Sequence, residues 1–191
     1  MSKCKVIPAV RNFKELERAL LSPSDVIFLL EGEIIHLKNI VERVKQFKKE
    51  IFIHLELIKG LKEDEASIHF LAKWIGIDGI LSTRSSSLLL AKKYGLTTIQ
   101  RGFLIDSQSI KTILNIASKA NPDYIELLPC FAYSKVADIR KQTDADIILG
   151  GFIDDKKQLE IIFEAGAIAA STSSSHLWTI GGNCFVKTGV S

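Results

Sequence analysis

Eight times along the chain, a short run of β-branched residues gives way to a polar or glycine break and then to apolar residues at helical spacing. The first run, residues 6–10, stops at Asn12, whose side chain can cap a helix with Glu15 three positions on; Phe13, Leu16, Ala19 and Leu20 then form a helical stripe. The second, residues 26–30, ends at Glu31-Gly32 and leads into Ile34, Leu37, Ile40, Val41, Val44 and Phe47, with the lysines of that segment facing water. Strand 51–55 with helix 63–75, strand 77–81 with helix 85–94, and strand 97–100 with a helix that opens at Asp106-Ser107 and stops at Pro122 are the next three units. Strand 124–128 with helix 133–142, strand 147–149 with helix 155–164, and strand 167–171 with a short turn at 174–178 complete the series.

Strand alternating with helix calls for a parallel sheet covered by helices, because parallel neighbours need a crossover and the crossover has to pack on the sheet. Eight units favour closure into a small (β/α)8 TIM-like barrel with a short final helix. At about 24 residues each they run below the ~250-residue norm of that fold, so an open doubly wound sheet is the alternative. Residues 1–178 read as a single domain and 179–191, with Gly181-Gly182, as a loosely held tail. With 191 residues, 47% of them apolar, the chain can bury a core without disulfides or structural metal. Cys4, Cys130 and Cys184 match neither a zinc pair nor a bridged framework and suggest a reducing compartment. The apolar run after the first five residues is too brief for a signal peptide, and no stretch approaches the ~18 apolar residues of a membrane span. A cytoplasmic protein without membrane contact is expected. A net charge of +3 from 25 bases and 22 acids is too slight to argue for nucleic acid.

In either architecture ligands bind at the carboxyl ends of the strands, so the residues just beyond each apolar run are the candidates. They are Glu31 after the second strand, His54 and Glu56 at the third, Ser82-Thr83-Arg84 after the fourth, Gln100-Arg101 at the fifth, Glu126 within the sixth, Gly150-Gly151 closing the seventh and Ser171-Thr172-Ser173 ending the eighth. The most specific signal is Gly150-Gly151 together with the serine-rich run 171–175. Glycines let backbone amides approach an anion, and hydroxyls entering a short helix add donors, as in the phosphate site that barrels build after strands seven and eight. A tight turn with an ordinary helix cap would use the same residue types; two such features in the right pair of loops favour phosphate. His54 and Glu56, two apart, share a strand face; they either point at a ligand or form a satisfied core histidine with Glu56 paired to Arg84 or Arg101. Arg84 and Arg101 in turn either fork onto a carboxylate or phosphate or neutralise Glu31, Glu56 and Glu126. Neither metal nor cofactor is expected, since Glu31, His54, Glu56 and Glu126 come from separate strands without motif spacing. Cys130 has no adjacent base to make it a nucleophile. His36 and His69 fall on helices as surface or packing residues, while His176 and Trp178 either close over a ligand or cover the barrel end.

Several segments taken in order carry a family likeness: 28–32 (FLLEG), 54–60 (HLELIKG), 78–84 (DGILSTR), 98–101 (TIQR), Asp106-Ser107, 122–129 (PDYIELLP), 150–153 (GGFI), and 171–173 (STS) with Leu177-Trp178. With them the chain resembles the bacterial glycerol-uptake operon antiterminator regulatory proteins from about Ile7 to Trp178. It departs from their usual pattern at Glu56 (aspartate), Cys130 (glycine) and Gly102 (leucine). The resemblance implies a barrel regulator that responds to glycerol 3-phosphate and binds the leader mRNA of glycerol-utilisation genes, preventing premature termination. In that reading Gly150, Gly151, Ser171, Thr172 and Ser173 hold the phosphate. Glu31, His54, Glu56, Arg84, Arg101 and Glu126 orient the glycerol hydroxyls or lock the rim loops. Lys38, Lys45, Lys48, Lys49, Lys92 and Lys93 are candidates for the RNA face, although a solvated helix face accounts for each. The rival is a small barrel isomerase, aldolase or lyase acting on a phosphorylated metabolite, with Glu126 or His54 as general base; a plain small-molecule binder without RNA contact is a third. The oligomeric state, a homo-oligomer included, stays open at this level.

Overall fold

Strands buried on both faces belong in a parallel sheet with helices on one side and a packed interior on the other. In the computed structural model, which describes residues 5–180, the strands are Lys5–Val10 (β1), Val26–Leu29 (β2), Glu50–His54 (β3), Gly79–Ser82 (β4), Thr97–Phe103 (β5), Tyr124–Leu128 (β6), Asp146–Gly150 (β7) and Ala169–Thr172 (β8). Each pairs in parallel with the next, and β8 returns to β1, with Pro8 opposite Thr172, to close the barrel. Closure excludes the open-sheet alternative. Of the tail, Thr179 and Ile180 follow the last turn; from 181 onward it lies outside the described residues, as do Cys4 and Cys184.

Among the described residues seven helices clothe the barrel: Phe13–Leu20 (α1), Ile34–Gln46 (α2), Glu65–Phe70 (α3, running on into a wider π turn at Leu71–Ile75), Ser85–Lys93 (α4), Ser107–Ala120 (α5), Val136–Arg140 (α6) and Lys156–Glu164 (α7). A single 3₁₀ turn, Ser175–Leu177, stands in the place of the eighth. Helix starts follow the expected chemistry. Asn12 Oδ1 accepts from the Glu15 N–H (3.0 Å), and Asp106 with Ser109 and Asp155 with Gln158 form reciprocal caps. The helix expected over 133–142 differs: a 3₁₀ turn, Cys130–Lys135, takes up its start and leaves α6 only five residues. A two-residue ladder, Gly32–Glu33 with Ile58–Lys59, joins the loops after β2 and β3 and carries no periodic signal that would announce it.

The period-2 alternation sorts each strand into two cores. Ile51 and Ile53 face outward to a cluster under the helices that includes Leu37, Val41 and Val44. Inside the barrel, Ile7, Val26, Phe28, Phe52, Leu81, Ile99, Ile148 and Ala169 fill the middle, with the Phe28 and Phe52 rings stacked at 5.9 Å. At the far end from the site, Lys49 is buried and donates to the carbonyls of Ser22 (2.7 Å) and Ser24. Burial pulls its ammonium below the usual lysine range, against the opposing pull of Asp25. No helix among the described residues is long and apolar enough to cross a membrane.

Candidate functional site

One layer above this apolar plug, the next inward position is polar on several strands and glycine on β7, while on β2 it is Leu30. His54 lies two residues beyond Phe52, Arg101 beyond Ile99, Glu126 beyond Tyr124, Gly150 beyond Ile148 and Ser171 beyond Ala169, so the alternation that packs the interior also aims these groups into the mouth. They form one chain across it. Ser171 Oγ donates to Glu126 Oε1 (2.5 Å), and Glu126 Oε2 lies 3.0 Å from Arg101 Nε. Arg101 Nη1 then donates to His54 Nδ1 (3.3 Å), and His54 Nε2 sits 3.4 Å from Glu56 Oε2. Glu56 Oε1 closes the chain by accepting from Ser82 Oγ (2.6 Å), the Thr83 N–H (2.8 Å) and Thr83 Oγ1 (3.2 Å). Five strands are thereby joined through side chains at their carboxyl ends.

Gly150 is what permits the first link. A Cβ there would lie 2.3 Å from Ser171 Oγ and 3.1 Å from Glu126 Oε1, so a side chain on β7 and this hydrogen bond exclude each other. Gly151 follows at φ +78° and Phe152 at φ +60°, a left-handed conformation that costs a phenylalanine on the order of 1–2 kcal/mol and turns its ring outward against Phe131. Thr172 ties the two late loops together: its hydroxyl donates to the Ile153 carbonyl (2.6 Å) and accepts from the Ser174 N–H (3.0 Å). Trp178 Nε1 donates to the Thr172 carbonyl and His176 Nε2 meets the Asp154 carbonyl, so the final turn seals the barrel's edge. The hydroxyls of Ser171 and Thr172 are thus committed inside the protein, whereas among the described residues no such bond binds Ser173.

Arg101 can only donate, so the Nδ1 it contacts is the accepting nitrogen and the proton of neutral His54 sits on Nε2, facing Glu56. Burial, then the charge of Arg101, pulls the His54 pKa down to about 4; Glu56 opposes this and Arg11 adds to it. At neutral pH the ring is therefore uncharged between an arginine and a carboxylate. Four atoms of the chain, His54 Nε2, Glu56 Oε2, Arg101 Nε and Glu126 Oε2, are buried and within ion-pair reach of one another without the alignment of a hydrogen bond. Among the described residues no group of His, Cys, Asp and Glu has the geometry to hold a metal ion.

Other candidates stand elsewhere. Arg84 turns outward to Glu63 (3.2 Å) rather than to Glu56 or Glu31. Gln100 faces α5 and donates to the Ile113 carbonyl (2.8 Å). Glu31 pairs with Arg11, which stands just beyond β1 and is not among the candidates named from the sequence. Its signal was the same inward alternation, two positions beyond Ala9. Arg11, Glu31, Gly32, Glu33, Glu56 and Lys59 line an open cavity of about 410 Å³ at the mouth. Of the surface lysines, Lys38, Lys45, Lys92 and Lys93 reach Trp74 O, Asp78, Asn121 O and Glu65, and Lys49 is buried. Cys130 is buried, which pushes its thiol pKa up, consistent with an inert packing residue. Ile113 fills the space that a side chain at Gly102 would need.

A neutral imidazole, buried carboxylates and a guanidinium in one concave layer can orient hydroxyl groups by donor and acceptor together, while the glycine and serine loops beside it offer backbone donors to an anion. Comparison with known proteins bears on the family. A protein of Escherichia coli named YgcP is 34% identical over 175 residues, 92% of either chain. The crystal structure of a glycerol uptake operon antiterminator regulatory protein from Listeria monocytogenes superposes with a TM-score of 0.87 at 35% identity, covering 91% of this chain and 94% of that one. That of a glycerol uptake operon antiterminator-related protein from Thermotoga maritima does so at 0.79 and 28%, covering 92% and 98%. An aldolase barrel, 16% identical with a TM-score of 0.67 over 90% of each chain, shares the fold alone. The family model of the glycerol-3-phosphate responsive antiterminators matches residues 6–178, the whole described barrel but its first residue and last two, and the chain belongs to that family.

Proposed function

We propose that this protein is a cytoplasmic sensor of glycerol 3-phosphate whose occupancy sets its grip on the leader mRNA of glycerol-utilisation genes, and so whether transcription terminates early. The phosphate sits on the backbone N–H groups of Gly150, Gly151, Ser171, Thr172 and Ser173, with the free Ser173 hydroxyl added. The glycerol hydroxyls are read by His54, Glu56, Arg101 and Glu126, and Glu31 locks the rim through Arg11. Arg84, turned to Glu63, stands outside this set. The observation that carries the reading is the group of four buried polar atoms at the mouth that face one another in two pairs without the alignment of hydrogen bonds. A ligand that satisfies them favours one arrangement of the rim loops and shifts the population that engages RNA. Against the barrel-enzyme reading, both base candidates are tied to Arg101, which leaves neither free to take a proton from substrate.

The test is calorimetric titration of the protein with glycerol 3-phosphate, glycerol and inorganic phosphate, followed by filter binding of a glycerol-operon leader transcript with and without the ligand. Saturable glycerol 3-phosphate binding that changes RNA affinity is expected. Turnover of phosphorylated three- to five-carbon compounds without RNA affinity would overturn the proposal in favour of an enzyme.

A further inference from the structure

The mouth carries two inward arginines in opposite situations. Arg101 is fixed, its side chain only 9% exposed between Glu126 and His54. The Arg11 side chain is half exposed (52%), and among the described residues its one ion-pair partner is Glu31, itself half exposed, while its backbone N–H donates to Glu15. Ion pairs of that kind are weak and exchange readily. The remaining cation of the cavity, Lys59, points to solvent beside Glu33.

Arg11 also follows the strand that neighbours β8. β1 is hydrogen-bonded to β2 on one side and to β8 on the other, and Pro8 lies opposite Thr172, so the chain just past β1 runs beside the chain just past β8. Its side chain lines both the mouth cavity and a second one of about 450 Å³ between the starts of α1 and α2, with Glu31 on the boundary of the two. Charge makes its position matter. Counting formal charges with His54 neutral, the layer and its cavity hold four carboxylates (Glu31, Glu33, Glu56, Glu126) against three bases (Arg11, Lys59, Arg101). A site of net −1 opposes a dianion, and backbone donors work against that field unless a guanidinium is released to it.

We infer that Arg11 is the side chain that recognises the ligand's anionic group, and that Glu31 holds it in the unliganded protein as an exchangeable stand-in for that anion. Binding swings the guanidinium from the Glu31 carboxylate on the β2 side toward the loops after β7 and β8. A neutral polyol offers nothing that outcompetes Glu31, so the exchange separates phosphorylated from unphosphorylated ligands. It also frees the β2 loop at Glu31 each time the site fills, which couples occupancy to the rim. In naming glycerol 3-phosphate this rests on the proposed function above; the anion-recognition step does not.

The experiment titrates the full chain and its Arg11→Gln, Glu31→Gln and doubly substituted variants with glycerol 3-phosphate, inorganic phosphate and glycerol. Arg11→Gln weakens both phosphates by about tenfold or more and leaves any glycerol affinity unchanged. Glu31→Gln tightens both by about two- to fivefold, because the competitor is gone, and that gain vanishes in the double variant. The pair is exposed, so melting temperatures close to that of the parent certify folding. Binding by Arg11→Gln within twofold of the parent, or a Glu31→Gln gain that survives in the double variant, overturns the inference. Parent protein that binds inorganic phosphate through Arg11 but not glycerol 3-phosphate keeps the inference and sinks the proposed function; binding of neither phosphate sinks both.

Discussion

Substituting Gly150 with alanine adds one methyl group at the point where β7 passes the Ser171–Glu126 hydrogen bond, and the cost can be worked from the geometry. The new Cβ would stand 2.3 Å from Ser171 Oγ, well inside contact distance, and 3.1 Å from Glu126 Oε1. The serine must rotate away. That forfeits a hydrogen bond to a buried carboxylate, about 1.5–3 kcal/mol, and residual overpacking adds about 1–3 kcal/mol. Ser171→Ala alone loses only the hydrogen bond. In the double variant the worst clash has no partner atom, so the second substitution costs far less than it would alone, with a coupling energy of about 1–3 kcal/mol. Urea melts of the four proteins measure all of this; for a chain of this size each 1 kcal/mol corresponds to roughly 2–4 °C in Tm. Costs that simply add, or a Gly150→Ala protein as stable as its parent, would refute the reasoning that this glycine exists to make room for the link.

His54 predicts a pH signature. Its pKa falls from 6.5 unfolded to about 4 folded, so between those values the unfolded chain binds more protons and stability declines as pH drops through that window, by at most about 1.4 kcal/mol per pH unit, and is unaffected by this group above pH 7. Urea melts of the parent and His54→Gln at pH 7.5 and 4.5 should differ in slope; equal slopes would remove His54 from the account. Arg101→Lys keeps the charge but cannot contact Glu126 and His54 together, so a loss of about 2–4 kcal/mol is expected in the same assay, and near-parental stability would contradict the chain. Arg84→Ala, by contrast, should change stability by less than about 0.5 kcal/mol and leave glycerol 3-phosphate affinity within twofold; a large loss of affinity would return Arg84 to the site.

The barrel was legible because its signal is redundant. Eight strands with mostly buried residues, seven of them followed by a helix, agree in period and in count, and the caps at Asn12 and Asp106 mark where helices start. What escaped has local causes. The ladder Gly32–Glu33 with Ile58–Lys59 is too short to show a period, and the 3₁₀ start at Cys130 competes with a helix pattern that the apolar spacing fits equally well. The site was legible as a set of strand ends but not as a circuit. Residue spacing gives the face on which His54 and Arg101 lie, whereas the partner each selects depends on distances across the barrel. Arg84 and Arg101 read alike in sequence, each an arginine shortly past an apolar β run. The parity of one position sent the first to Glu63 on the rim and the second inward. Arg11 shares the inward parity, two positions beyond Ala9, and its partner Glu31 comes from the neighbouring strand end.

The stacked Phe28 and Phe52 rings beneath the polar layer make the barrel a cup with a floor, not a tube. Solvent and solute share one doorway. A solute that settles on the histidine and the carboxylates enters and leaves through the mouth. The vessel's emptying is thereby tied to the movement of its lip, where Arg11 and Glu31 meet.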